Sequence, residues 1–193
     1  MNGTILMRRA FLILATLVAL AGCSSPNGLL VSDGAMPVGG NLFVETAEDG
    51  TQHLVLDGVI EPETAFSFDA FLDQADVAWL VIAQSPGGDL VSAHQMGNAI
   101  RRKGISTAVI AACYSACVDV FIAGHQREMI AGSELMLHAA SDREIGLALD
   151  RPYWSRMGFA DVNERAYTVP DGAWWRLSHD RALSMRMATR VVE

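Results

Sequence analysis

The sequence predicts an α/β fold built on a largely parallel sheet. Strand-like and helix-like segments alternate from residue 42 onward, which is the pattern of a sheet covered by helices. Residues 77–83 form a continuous apolar run, as expected for a parallel strand buried on both faces. The helical segment 89–103 follows, with Asp89 in its first turn, three basic residues in its last turn and Gly104 as its stop. This pattern alone does not distinguish a doubly wound sheet from other arrangements.

The remaining elements follow from local patterns of apolar residues. Short β-prone runs predict strands at residues 42–45, 53–56, 105–111, 128–130, 134–138 and 189–192. Apolar periodicity predicts further helices at residues 64–74, 115–123, 153–165 and 178–186. No internal repeat is evident, so one domain is expected.

The N-terminus predicts a secreted, lipid-anchored protein. Arg8 and Arg9 precede a short apolar stretch at residues 10–20, which indicates a signal peptide too short to span a bilayer by itself. Leu20-Ala21-Gly22-Cys23 resembles the bacterial lipobox, which implies removal of residues 1–22 and acylation of Cys23. The alternatives are an ordinary signal cut nearby or an uncleaved anchor. Several acyl chains would hold the protein to a membrane. By resemblance to lipoprotein sorting in double-membrane bacteria, Ser24 after the cysteine favours the outer membrane, facing the periplasm.

A tether and one acidic domain are predicted to follow the signal peptide. Residues 23–41 are rich in glycine and proline, which indicates a flexible tether, and residues 42–193 are assigned to the domain. The whole chain has a net charge of −8, and removal of the signal peptide takes away two arginines and no acids. Such an acidic chain argues against binding to nucleic acid.

Three segments carry residues suited to acyl transfer. Ser115 lies between a β-prone run and an apolar helical run, and a strand-to-helix turn is where acyl-transfer enzymes expose a nucleophilic serine. Upstream, Ser85-Pro86-Gly87-Gly88-Asp89 follows a predicted strand. Downstream, the apolar segment 133–138 ends in His138, whose neutral imidazole is a natural acceptor for a serine proton.

These segments, in this order, resemble the ClpP-like serine peptidases of the ClpP/crotonase superfamily. The resemblance implies a single-domain spiral of β-β-α units, peptide or protein substrates, and self-association. It also implies Ser115 as nucleophile and His138 as base. The glycine loop at Gly87 and Gly88, with the N–H of Ala116, is implied to form the oxyanion hole.

Each assignment has a structural alternative. Ser115 would serve equally as a helix N-cap, His138 as a satisfied histidine at a strand end, and the glycine pair as a turn. For the whole protein, the rivals are a catalytically inactive binding or scaffold lipoprotein and an acyl-CoA-type enzyme. The second rival is disfavoured outside the cytoplasm.

A third catalytic residue is less defined. The segment 170–178 resembles the part of ClpP-like enzymes that carries an acid, which implies Asp171. The rivals are Asp142, Asp150 and Asp161, and Asp171 would equally cap the following turn.

Asp119 departs from the family pattern, which is apolar at this position. It lies four residues after Ser115, on the same helix face. It would therefore touch the site or lie at an exposed or subunit surface. His94 is expected to be a packing or surface histidine.

Cys113 and Cys117 lie two residues before and two residues after Ser115. The sequence is compatible either with a disulfide between them or with two free thiols. In an oxidising compartment they are within disulfide reach around a turn, whereas two buried free thiols would pack as small apolar residues. The histidines show no metal-ligand spacing and no phosphate-binding motif is present, so neither a metal nor a cofactor is predicted.

Overall fold

The computed structural model describes residues 31–47 and 49–193. The predicted signal peptide 1–22 and Cys23 lie outside the described residues. Within those ranges, no helix has the length and apolar character needed to cross a membrane. The described chain forms a mixed α/β domain, which confirms the predicted fold class.

Nine strands of the described chain join in one mixed sheet. They are β1 (Met36–Gly39), β2 (Leu42–Thr46), β3 (Gln52–Asp57), β4 (Trp79–Ser85), β5 (Ser106–Tyr114), β6 (Arg127–Ile130), β7 (Glu134–Leu137), β8 (Trp175–Leu177) and β9 (Arg190–Val192). The central strands β3, β4, β5, β6 and β9 are parallel neighbours in that order. Antiparallel pairs lie outside them, β1 with β2, β2 with β3, and β7 with β8.

Strand β5 divides its pairing between two neighbours. Its first half, Thr107–Val109, pairs with β6, and its last three residues, Ala112–Tyr114, pair with β7. Both pairings are parallel. The ends of β5 and β7 therefore lie side by side at one edge of the sheet.

Six helices cover the sheet in the described part of the chain. They are α1 (Pro62–Leu72), α2 (Leu90–Lys103), α3 (Ala116–Ile122), α4 (Arg143–Met157), α5 (Ala160–Ala166) and α6 (His179–Ser184). Helix α2 starts and stops as predicted: the Asp89 carboxylate accepts a hydrogen bond from the N–H of Ser92 at 2.8 Å, and Gly104 adopts the left-handed conformation that ends a helix. Helix α3 is buried along its whole length, so it lies at the centre of the core.

The predicted helix at 153–165 is wrong. These residues contain the end of α4 and most of α5. Gly158 has φ of 91° and its N–H bonds to the carbonyl of Ser155, so it ends α4 after Met157. The first ten residues of α4 had not been predicted as helix, although Asp142 caps them by accepting a hydrogen bond from the N–H of Ile145 at 3.0 Å.

The predicted tether, 23–41, overlaps the folded domain. Residues Met36–Gly39 form the edge strand β1, paired with β2. Gly39 and Gly40 have φ of 149° and 56°, because they make the tight turn of this hairpin. Pro37 is tolerated because the strand lies at the edge of the sheet. The glycine and proline content thus reflects a hairpin and not only a linker.

Candidate active site

Ser115 and His138 meet at the edge where β5 and β7 end. Ser115 directly follows the last residue of β5 and His138 the last residue of β7. The N–H of Ser115 donates to the carbonyl of Met136 at 2.9 Å. Adjacent parallel strands bring their carboxyl ends to the same edge. The Nε2 atom of His138 is consequently 2.7 Å from the Oγ atom of Ser115, which is hydrogen-bonding distance for a nucleophile and its base.

The turn at Ser115 is not an ordinary helix cap. Ser115 stands at the N-cap position of α3, but its side chain makes no capping hydrogen bond. Its backbone has φ of 55° and ψ of −132°, a region that costs a non-glycine residue roughly 1–3 kcal/mol. The side chain is instead directed at His138. The N-cap alternative therefore does not explain this serine, and the backbone matches a strained nucleophile turn.

A disulfide joins Cys113 to Cys117 across this turn, with their Cα atoms 5.3 Å apart. Both cysteines are fully buried. The disulfide alternative is confirmed. It links the last residues of β5 to the first turn of α3, and so fixes the two elements that hold Ser115.

The glycine loop packs directly against the serine turn. Gly87 and Gly88 have φ of 89° and 147°, and a Cβ atom on Gly87 would lie 2.6 Å from the carbonyl oxygen of Tyr114. Only glycine permits this approach. The N–H groups of Gly88 and Ala116 donate to no atom of the described residues, and both residues line the same cavity as Ser115. Two free donors therefore line the same cavity as Ser115, as an oxyanion hole would require.

His138 is suited to act as a base at neutral pH. Its imidazole is half-buried and packs on the ring of Trp174, with ring centroids 4.3 Å apart. Burial lowers the pKa of His138 below its usual value of 6.5, since desolvation disfavours the charged form. The imidazole is therefore neutral, and able to accept a proton, near pH 7.

Asp171 lies close to His138 but is paired elsewhere. Both residues line one surface depression, yet the Asp171 carboxylate accepts a hydrogen bond from Nη1 of Arg143 at 2.7 Å and its side chain is 88% exposed. Within residues 31–47 and 49–193, no carboxylate hydrogen-bonds to His138. Asp171 stays the predicted third member, and such a role requires its carboxylate to leave Arg143.

The rival acids are also engaged or distant from the imidazole. Asp142 caps α4, Asp161 is exposed on α5, and Asp150 accepts hydrogen bonds from His94 and Tyr167. The arrangement at Ser115 is consequently a dyad in this structure.

Beside the dyad, a buried charged cluster joins α2, α3 and α4. His94 Nε2 is 3.0 Å from Asp150 Oδ1 and 3.8 Å from Asp119 Oδ1, and its ring stacks on Tyr153 with centroids 3.9 Å apart. Burial opposes protonation of His94, but Asp119 and Asp150 outweigh it and raise its pKa to about 9. Burial raises the pKa of Asp119 to about 6, although His94 opposes this. At neutral pH the cluster thus holds one imidazolium between two carboxylates.

This cluster settles where Asp119 lies. The sequence placed it at the site or at an exposed surface, and the structure buries it to 4% exposure beneath Ser115. His94 was expected to be a packing or surface residue; it packs on Tyr153, but it is also an ion-pair partner. Its Nε2 and one oxygen of each carboxylate lie within 4.8 Å of one another. However, a histidine with a raised pKa is a poor metal ligand, since a metal needs the neutral ring.

A cavity of about 180 Å³ opens from the dyad onto this cluster. The cavity is lined by the residues of the candidate site, Ser115, His138, Gly88 and Ala116. It is also lined by four polar residues, Asp119, Asp150, Asn163 and Tyr167. Two of its buried polar atoms have no hydrogen-bond partner among the described residues, namely Asp119 Oδ1 and Asn163 Nδ2. An unsatisfied buried polar group costs roughly 1–3 kcal/mol. A bound group that formed hydrogen bonds with these two atoms would therefore be stabilised in the cavity.

Comparison with known proteins supports the fold. The chain matches no protein-family model and no curated protein in sequence. Among solved structures, a serine-to-alanine variant of the 1510-N membrane-bound stomatin-specific protease matches with a TM-score of 0.54 and 17% identity, over 72% of this chain and 77% of that chain. An asparagine-to-aspartate variant of ClpP1 from Listeria monocytogenes matches with a TM-score of 0.56 and 16% identity, over 73% and 91%. The predicted ClpP-like fold is confirmed.

Proposed function

We propose that the protein is a membrane-tethered, periplasm-facing serine hydrolase that cleaves peptides. The observation that supports it best is the 2.7 Å contact between Ser115 Oγ and His138 Nε2 at a strained turn. The unpaired N–H groups of Gly88 and Ala116 beside that contact add to it. One of the similar structures is a protease by name, so the fold is compatible with this chemistry.

The geometry supports a two-step acyl transfer. Ser115 Oγ attacks the substrate carbonyl carbon while His138 Nε2 takes the hydroxyl proton. The carbonyl oxygen becomes an oxyanion that accepts hydrogen bonds from the N–H groups of Gly88 and Ala116. His138 then gives its proton to the leaving amine, and an acyl ester remains on Ser115. A water molecule, deprotonated by His138, hydrolyses this ester and restores both side chains.

The imidazolium that forms in each step needs stabilisation. No carboxylate of the described residues contacts His138. The ring of Trp174 lies 4.3 Å from it, centroid to centroid, which is within the range in which an aromatic ring attracts a cation. We infer that Trp174 holds the imidazole in position and favours its protonated form.

Peptide hydrolysis by the purified full-length chain, with its disulfide formed, tests the proposal. A mixture of peptides is incubated with the protein, and new termini are identified by mass spectrometry. We expect cleavage by the wild type, none by Ser115→Ala, and a loss of about 10²–10⁴-fold in His138→Gln. Ser155→Ala is the matched control, since Ser155 is exposed on α4 and lies outside the cavity beside Ser115, and it should keep activity. Folded protein without any cleavage would favour a binding or scaffold lipoprotein with this fold.

We also propose that acylated Cys23 anchors the protein to a membrane, with the outer membrane favoured. The support is the lipobox-like sequence Leu20–Cys23 after a short apolar stretch. Wild-type protein should sediment with membranes and carry acyl mass on its N-terminal cysteine. Cys23→Ser should be released or left unprocessed, whereas Ser24→Ala should stay attached. A mature wild-type protein found entirely in the soluble fraction would refute the anchor.

A further inference from the structure

The cavity beside Ser115 is placed to receive part of the substrate. Ser115, His138 and the two oxyanion donors all line it, so a carbonyl carbon bound at Ser115 lies at its entrance. The side chain on the acyl side of the scissile bond is attached one atom away from that carbon. This side chain is therefore the substrate group nearest to the cavity, whose volume of about 180 Å³ far exceeds the ~30 Å³ share of one water molecule.

The inner end of the cavity carries an uncompensated negative charge. Asp119 and Asp150 are 4% and 6% exposed, and His94 supplies one positive charge between them. No lysine or arginine among the described residues lines the cavity. Two carboxylates against one imidazolium leave one negative charge, and a buried charge is unfavourable unless it is paired.

Two polar atoms that line the cavity also lack hydrogen-bond partners, although one of them, Asp119 Oδ1, lies 3.8 Å from His94 Nε2. Asp119 Oδ1 and Asn163 Nδ2 are buried and accept or donate no hydrogen bond within the described residues. Asn163 is only 2% exposed, and it belongs to α5, separate from the charged cluster. Its amide can present either its NH₂ or its oxygen to the cavity, because the two orientations have the same shape. With the amide turned so that its oxygen takes the place of Nδ2, a group with several N–H donors would satisfy both residues at once.

We propose that this cavity is the specificity pocket for the residue on the acyl side of the cleaved bond, and that it selects lysine or arginine. This inference rests on the proposed serine hydrolase function. The cationic head would pair with Asp119 and donate a second hydrogen bond to the side-chain oxygen of Asn163, while its aliphatic stem packs against the apolar walls of the cavity. Asp150 is already held by His94 and Tyr167, so Asp119 is the residue that determines the choice.

A pair of matched covalent probes tests the inference. Peptidyl phosphonate diphenyl esters carry either lysine or norleucine at the acyl-side position, which differ only in the terminal ammonium group. The second-order rate of Ser115 modification is measured for each with the full-length protein. We expect the lysine probe to react at least ~100-fold faster, since buried polar groups left unpaired reject the analogue that lacks the polar group. A glutamine probe should react as slowly as norleucine.

Two variants test whether Asp119 causes the preference for lysine over norleucine. Asp119→Asn should reduce the lysine-to-norleucine ratio below ~10-fold, because a neutral amide cannot pair with the ammonium group. Asp76→Asn makes the same charge change at an exposed site that does not line the cavity and should leave the ratio unchanged. The comparison on the wild-type protein needs no variant, so the inference stays testable if Asp119→Asn does not fold.

A small fluorophosphonate without a side chain tests the reactivity of Ser115 independently of the pocket. If this probe labels Ser115 but the lysine and norleucine probes react at equal rates, the proposed pocket is refuted and the proposed hydrolase function is not. A preference for norleucine or glutamine would also overturn the pocket. No labelling by any probe would overturn the hydrolase and the pocket with it.

Discussion

Removal of the His94 imidazole should destabilise the protein, and the loss should depend on pH. In His94→Gln the carboxylates of Asp119 and Asp150, both nearly fully buried, face each other without a cation between them. Removing one partner of a buried ion pair costs roughly 3–5 kcal/mol, because it leaves an uncompensated buried charge. The structure also allows an independent estimate from the pKa of His94.

The pKa of His94 rises from 6.5 to about 9 on folding. Each pKa unit is worth about 1.36 kcal/mol, so protonated His94 adds up to about 3 kcal/mol to the free energy of unfolding. Because the folded pKa is the higher one, this stability is fully present below pH 6.5 and is lost as the pH rises through about 9. Asp119 acts at lower pH: its pKa is also raised, so its proton favours the folded state and stability falls as the pH rises towards about 6.

Urea unfolding at several pH values measures both effects. The wild type should lose up to about 3 kcal/mol between pH 6.5 and 9, while His94→Gln should be weaker near pH 7 and nearly flat over that range. A loss of that size lowers the melting temperature by roughly 6–12 °C for a chain of this length. His125→Gln, at an exposed histidine, is the control and should match the wild type. Constant wild-type stability from pH 6.5 to 9, together with a wild-type unfolding midpoint for His94→Gln, would refute this role of His94.

Three further predictions concern the serine turn. The rate of Ser115 labelling should rise with pH and reach half its maximum below pH 6.5, because the pKa of His138 is lowered; a midpoint above that value would contradict a desolvated base. Gly87→Ala should slow labelling by about 10²-fold or more, since the new Cβ atom would push the oxyanion loop away from the serine turn; rates within twofold of the wild type would show that the loop is not involved. The double variant Cys113→Ala, Cys117→Ala should lose at most about 2 kcal/mol, because the closed loop is very short; a loss above ~4 kcal/mol in urea unfolding would mean that the bond does more than close that loop.

The proximity of Ser115 to His138 could be predicted because it follows from strand order. Ser115 follows the predicted strand 105–111 across a turn, His138 ends the predicted strand 134–138, and parallel neighbours place their carboxyl ends at one edge. The start and stop of α2 were also predictable, because an N-cap and a left-handed glycine act within a few residues. Local signals of this kind do not depend on the rest of the fold.

The charged cluster could not be predicted from the sequence. His94 and Asp150 are 56 residues apart in the chain, and only the packing of α4 against α2 brings them together. The sequence offered one signal, the acid at Asp119 in the otherwise apolar helix that follows Ser115. The break at Gly158 was visible in the sequence but was overlooked, because an apolar pattern continues on both sides of it.

Covalent labelling of Ser115 tests the central claim most directly. The full-length protein, isolated with the Cys113–Cys117 disulfide intact, is treated with a fluorophosphonate, and the modified residue is located by peptide mass spectrometry. We predict one adduct per chain on Ser115, none in Ser115→Ala, and greatly slowed modification in His138→Gln. Folded wild-type protein that stays unmodified, or that reacts equally well after Ser115→Ala, would contradict the assignment of Ser115 as a nucleophile activated by His138.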